Sequence, residues 1–130
     1  MSIGISVTVD GDFVEVAERV RDALKAEGFG IVSEIDVAET FRQKLGVEFR
    51  PYLILGACNP TLAKKAIEAM SEIGLLLPCN VTVEQEDGGV KISAVDPFAM
   101  LAAAPKHPAL EEVAADAKPR LERALEALSK

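Results

Sequence analysis

Val81-Thr82-Val83-Glu84-Gln85-Glu86-Asp87-Gly88-Gly89-Val90-Lys91-Ile92-Ser93-Ala94-Val95 is the run that decides the fold. Apolar and polar residues alternate on both sides of Asp87-Gly88-Gly89, the pattern of two half-buried strands. A Gly-rich tight turn between such runs pairs them as an antiparallel hairpin. Val90, Ile92 and Ala94 take the inward face. The upstream strand is read as residues 75–85, interrupted at Pro78, since proline is tolerated in a strand only at an edge or a bulge.

Outward from the hairpin, strands alternate with short helices. Ile3, Ile5, Val7 and Val9 alternate with Gly4, Ser6 and Thr8 in a first strand. Asp12 and Glu15 form a capping box for a helix over 13–27, which carries Phe13, Val16, Ala17, Val20 and Leu24 at helical spacing and stops at Gly28. Residues 30–36 are a second strand. Asp36 caps a short helix with Phe41 and Leu45 facing in, and Gly46 ends it. Residues 49–58 are mostly apolar and read as a central strand. Asn59 and Pro60 then open a helix as N-cap and first helical residue, with Leu62, Ala63, Ala66, Ile67 and Met70 as its stripe. Asp96-Pro97 caps a further short helix. After the break Pro105-Lys106-His107-Pro108, a long amphipathic helix shows Leu110, Val113, Ala117, Leu121, Leu125 and Leu128. Pro119 inside it is expected to kink it. The order predicts an α+β domain: a mixed or antiparallel sheet of about five strands with helices on one face, plus the C-terminal amphipathic helix. The expected division is a core over 1–104 and a helical extension over 105–130, packed on the core or on a partner subunit.

The chain has 130 residues, the length of one domain, with 49% hydrophobic and 27% charged residues. That composition excludes disorder, collagen and a disulfide scaffold. Fourteen basic against twenty-one acidic residues give a net charge of −7. Such a chain repels nucleic acid and anionic lipid, so neither is expected as a partner. No apolar run reaches the roughly 20 residues of a membrane span. Met1-Ser2-Ile3-Gly4-Ile5 has neither a basic nor an apolar leader region, so a cytoplasmic chain without a signal peptide is expected. Cys58 and Cys79 are then expected to stay reduced.

Phosphate-loop, dinucleotide and nucleophile-elbow motifs are absent, as is a C-x-x-C pair. His107 lies between prolines in a break and reads as surface. One feature stands out: Cys58-Asn59-Pro60 ends one strand, and Pro78-Cys79-Asn80 lies in the next. If those strands are neighbours, two thiols and two amides converge. Thiols are soft ligands and, once ionised, nucleophiles. Amides orient a ligand through two donors and an acceptor. Against this stands the packing role of a small apolar thiol and the capping role of Asn59. A buried Asn80 would need partners, or cost about 1–3 kcal/mol. Lys44, on the last turn of its helix, is a candidate cation for an anionic ligand.

The runs Glu34-Ile35-Asp36-Val37, Lys44-Leu45-Gly46-Val47, Tyr52 to Pro60, Gly74 to Val81 and Ser93 to Pro97 resemble the bacterial and archaeal family catalogued as "domain of unknown function 302". The resemblance covers roughly residues 5–102. It implies a compact α+β domain related to the TATA-box-binding-like folds, commonly a homodimer, and it assigns no activity. It adds weight to Asp36, Lys44, Cys58, Asn59, Cys79, Asn80 and Asp96, which match the family's motif. The expected function is a non-catalytic, homodimeric small-ligand-binding domain with its site at the paired Cys-Asn motifs, because no general base is visible. The alternatives are thiol redox or sulfur transfer by Cys58 and Cys79, or soft-metal binding by the same pair. No cofactor is assigned.

Overall fold

The computed structural model describes residues 2–129. Five strands form one antiparallel sheet in the order β1-β5-β4-β3-β2, with β1 over Gly4–Val9, β2 over Gly30–Asp36, β3 over Tyr52–Cys58, β4 over Cys79–Glu86 and β5 over Gly89–Val95. The hairpin is β4–β5. Val81 pairs with Ala94 and Val83 with Ile92. Cross-strand partners share a face, so the alternation places Val81, Val83, Val90, Ile92 and Ala94 together in the core. Thr82, Ser93 and Lys91 lie on the opposite, uncovered face.

Two long helices cover the inner face. Helix α1 (Phe13–Ala26) buries Val16, Ala17, Val20 and Leu24, and Asp12 caps it by accepting from the Glu15 N–H. Helix α5 (Pro108–Leu128) contributes Ala117, Leu121, Ala124, Leu125 and Leu128 to the same core. The two helices are tied at their ends. The Arg19 guanidinium donates to the Leu128 carbonyl at 3.0 Å, and Arg123 pairs with Glu27 at 2.9 Å. Helix α5 is one helix across Pro119, which lies on its exposed face. There the Ala115 carbonyl that has lost its N–H partner is open to water.

Three expectations change. Ile3 precedes β1 and is 79% exposed, so the first strand's stripe begins at Ile5. Residues 71–76, read as the start of a strand, form a short 3₁₀-helix, and β4 begins only at Cys79, after a cis Leu77–Pro78 peptide. Helix α2 (Val37–Leu45) buries none of its residues, and Leu45 is 67% exposed rather than inward. It lies at the sheet edge beside β2 and β3, where Phe41 packs edge-on to Phe49 at 5.1 Å. The remaining helices, α3 (Pro60–Ala69) and α4 (Pro97–Leu101), start at the other end of the sheet, where β3 and β5 finish.

Candidate functional site

Four elements reach past that end of the sheet and enclose a cavity of about 320 Å³. The end of β3 and the start of β4 form its floor with Ala57, Cys58 and Cys79. Helix α3 supplies Leu62, Ala63 and Ala66, and α5 supplies Leu110, Val113 and Ala114. Met100 and Leu101 close it from α4, and Ile73 from the 3₁₀-helix. Among the described residues no charged side chain lines it. Val32 and Ile67 line it and are also exposed, so they mark its mouth.

The strand register makes the floor. Ala57 lies opposite Cys79, which places Cys58 one residue beyond the pair. Gly56 lets Pro78 settle nearby on the outer face. A Cβ at Gly56 would clash with Ser33 Oγ and lie 2.7 Å from Pro78 Cγ. A bulge between Ile31 and Ser33 slips Val32 out of the ladder and towards the mouth.

Two ion pairs clasp the walls. Lys65 of α3 pairs with Glu112 of α5 at 2.6 Å, and Lys118 of α5 pairs with Asp96, ahead of α4, at 3.0 Å. Burial draws the Asp96 carboxyl upwards. The Lys118 contact and the Phe98 N–H outweigh it, and Asp96 lies below the ordinary carboxylate range.

The seven candidate residues divide among three places. Cys58, Asn59 and Cys79 meet at the cavity. The Asn59 Oδ1 accepts from the Leu62 N–H at 3.2 Å, so this group caps α3 as it lines the wall. Asp96 caps α4 next to Pro97, itself a lining residue. Asn80 is exposed on the open face of the sheet, opposite Gly56, and needs no buried partner. Asp36, the last residue of β2 and the N-cap of α2, and Lys44 within α2 lie at the other end of β3. From Leu53, which Asp36 faces, to Cys58 is five strand residues, about 17 Å. Lys44 therefore offers nothing to the thiols.

Burial, and next to it the charge of Cys58, push the Cys79 thiol up to about 11. Near neutral pH Cys79 is a protonated, apolar group. His107 is also committed: its Nδ1 accepts from the Ala109 N–H at 3.1 Å and caps α5. Sequence reasoning did not single out for a site most of the apolar lining, Met100, Leu101, Leu110, Val113 and Ala114 among it. Leu110 and Val113 stood in the sequence as parts of an apolar stripe, and a stripe does not show whether it faces a neighbour or a void.

Among the described residues no helix is long and apolar enough to cross a membrane. No curated protein matches the chain. The crystal structure of an uncharacterized conserved protein, DUF302, from Bacillus stearothermophilus is similar, with 35% identity and a TM-score of 0.87 over 97% of this chain and 98% of that one. The model of the family described as "Domain of unknown function DUF302" matches residues 5–128, through α5 and well beyond residue 102. With the sheet, the helices and the C-terminal helix all inside that match, the chain belongs to the DUF302 family.

Proposed function

We propose that the protein is a non-catalytic binding domain for a small, uncharged, largely apolar molecule held in the cavity between the sheet end and α3, α4 and α5. The lining carries this reading: about 320 Å³ walled by apolar side chains, with Cys58, Asn59 and Cys79 as the polar-capable side chains among the described residues. Sites for small molecules have this size and this balance of apolar wall to a few polar groups. Nucleotides, sugars and amino acids would lose hydration there and gain no charged partner. Thiol exchange by the same pair needs a thiolate, and the upward shift of Cys79 opposes one. The test is titration with the neutral fluorescent probe N-phenyl-1-naphthylamine. Saturable binding, displaced by decanol, is expected. Fluorescence that rises linearly without saturation would refute the proposal.

The homodimer is a second proposal, placed on the exposed face of α2 and the segment after it. Leu45, Val47 and Phe49 are exposed there. Asp36, Glu39 and Glu48 are balanced by Arg42, Lys44 and Arg50, so residues 36–50 are neutral in a chain of net charge −7. A second copy meets little net-charge repulsion at this patch. Sedimentation should show a dimer that Leu45→Glu converts to monomer. A monomeric parent protein at tens of micromolar would overturn it.

A further inference from the structure

We infer that Ile73 sets the length of the ligand: the cavity takes an unbranched, uncharged aliphatic chain, and the Ile73 side chain is the partition that limits it to about ten carbons. The inference rests on the cavity reading above and adds a chain-length rule to it. A second cavity, of about 190 Å³, adjoins the first. The 3₁₀-helix walls it with Glu72, Leu75 and Leu76, and the turn after α4 with Ala103, Ala104 and Pro105. Among the described residues Ile73 alone lines both cavities. Its side chain is buried, 2% exposed. It belongs to a small apolar cluster, apart from the main core, that joins Ala66, Leu101 and Leu110 of the first cavity to Met70, Leu76 and Ala104 of the second. The first cavity opens at Val32 and Ile67, the second beside the exposed Leu75. One shared side chain stands between them.

The volumes give the rule. At ~30 Å³ for a water-sized group, the first cavity holds about ten methylenes and the second about six more. Each methylene that enters an apolar wall raises affinity about fourfold, and one that stays in water adds nothing. Affinity should therefore climb with chain length until the chain meets Ile73, and then level. Beyond Ile73 the walls stay apolar as far as Glu72, the charged side chain among the described residues of the second cavity. A carboxylate end reaching that far is repelled, whereas an alcohol or hydrocarbon end is not.

The experiment is displacement of N-phenyl-1-naphthylamine by straight-chain 1-alkanols of eight to fourteen carbons, with a thermal melt of each protein. In the parent, tetradecanol should bind within about threefold of decanol. In Ile73→Ala, which joins the two cavities, tetradecanol should bind at least about tenfold tighter than decanol. Adding Ala104→Leu to that variant refills the second cavity and should restore the levelling, which a general loosening of the fold would not do. If Ile73→Ala is unfolded at the assay temperature, Ile73→Val decides. The loss of one methyl should raise the ratio of dodecanol to decanol affinity about fourfold over the parent. A folded Ile73 variant that levels at the parent's chain length, or a parent whose affinity climbs unchecked to fourteen carbons, would overturn the partition and leave the cavity reading standing. A parent that does not bind the probe refutes the cavity reading, and the partition falls with it.

Discussion

Substituting Ala63 by leucine should narrow the cavity without unfolding the protein. Ala63 lines the cavity from α3 and is only half-buried. Leucine is nearly as good a helix former as alanine, so the helix itself loses little. The volume of about 320 Å³ corresponds to about ten water molecules at ~30 Å³ each. A ten-carbon ligand burying about 0.8 kcal/mol per carbon gains about 8 kcal/mol. At least about 4 kcal/mol of that offsets lost translation and rotation. The remaining ~4 kcal/mol places such a ligand near 1 mM, and larger apolar molecules below it. Leucine adds three carbons to the wall and displaces about that much ligand. The loss is about 2.4 kcal/mol, or about 60-fold in affinity. The assay is fluorescence titration with N-phenyl-1-naphthylamine, alongside a thermal melt. The expected result is a probe affinity lowered by one to two orders of magnitude at an unchanged melting temperature. A folded Ala63→Leu protein that binds the probe within about threefold of the parent would refute the cavity as the site.

Iodoacetamide on the folded protein near neutral pH should label Cys58 and spare Cys79, which reacts only after denaturation, as peptide mass mapping would show; equal labelling would contradict the burial of Cys79. Cys79 also sets an alkaline limit. Its thiol ionises at 9.0 in the unfolded chain and at about 11 in the fold, so between those values the unfolded state binds fewer protons and stability falls as pH rises. At about 1.4 kcal/mol per pH unit the loss approaches 3 kcal/mol, and urea melts of Cys79→Ala should show a shallower fall over that window. Gly56→Ala should cost about 1–3 kcal/mol, because the added methyl meets Ser33 of β2 and Pro78 just ahead of β4; an unchanged urea midpoint would show that the bulge and Pro78 give way freely. Ending the chain after Pro105 removes Leu121, Leu125 and Leu128 from the core and should abolish cooperative unfolding by circular dichroism; a truncated chain that melts normally would show that residues up to 105 fold alone.

What was legible in the sequence was local. Asp12, Asp36, Asn59 and Asp96 each cap the helix expected of them, because capping needs only a short side chain and an N–H two or three residues on. The hairpin was legible because period-2 alternation and its turn lie within one short run. The failures came where the pattern had no period. Leu75-Leu76-Leu77 is uniformly apolar, and such a run does not distinguish strand from helix. Leu75 and Leu76 end a 3₁₀-helix, with Leu75 82% exposed, and Leu77 is already extended. Asn80 was misjudged for the same reason. Counted back from Val83 and Val81, the alternation puts Cys79 inward and Asn80 outward, and only its grouping with the leucines suggested burial. The site was legible in its two thiols and not in its shape. The pairing of Ala57 with Cys79 depends on how far α3 and the 3₁₀-helix carry the chain before it returns. The void depends on α5, some thirty residues further on, supplying one of its walls. Asp36 and Lys44 show the converse. They share motif status with the cysteines, yet β3 separates them from the thiols by its length. Among residues marked by resemblance, the register of the sheet, rather than their chemistry, decides which can act on one ligand.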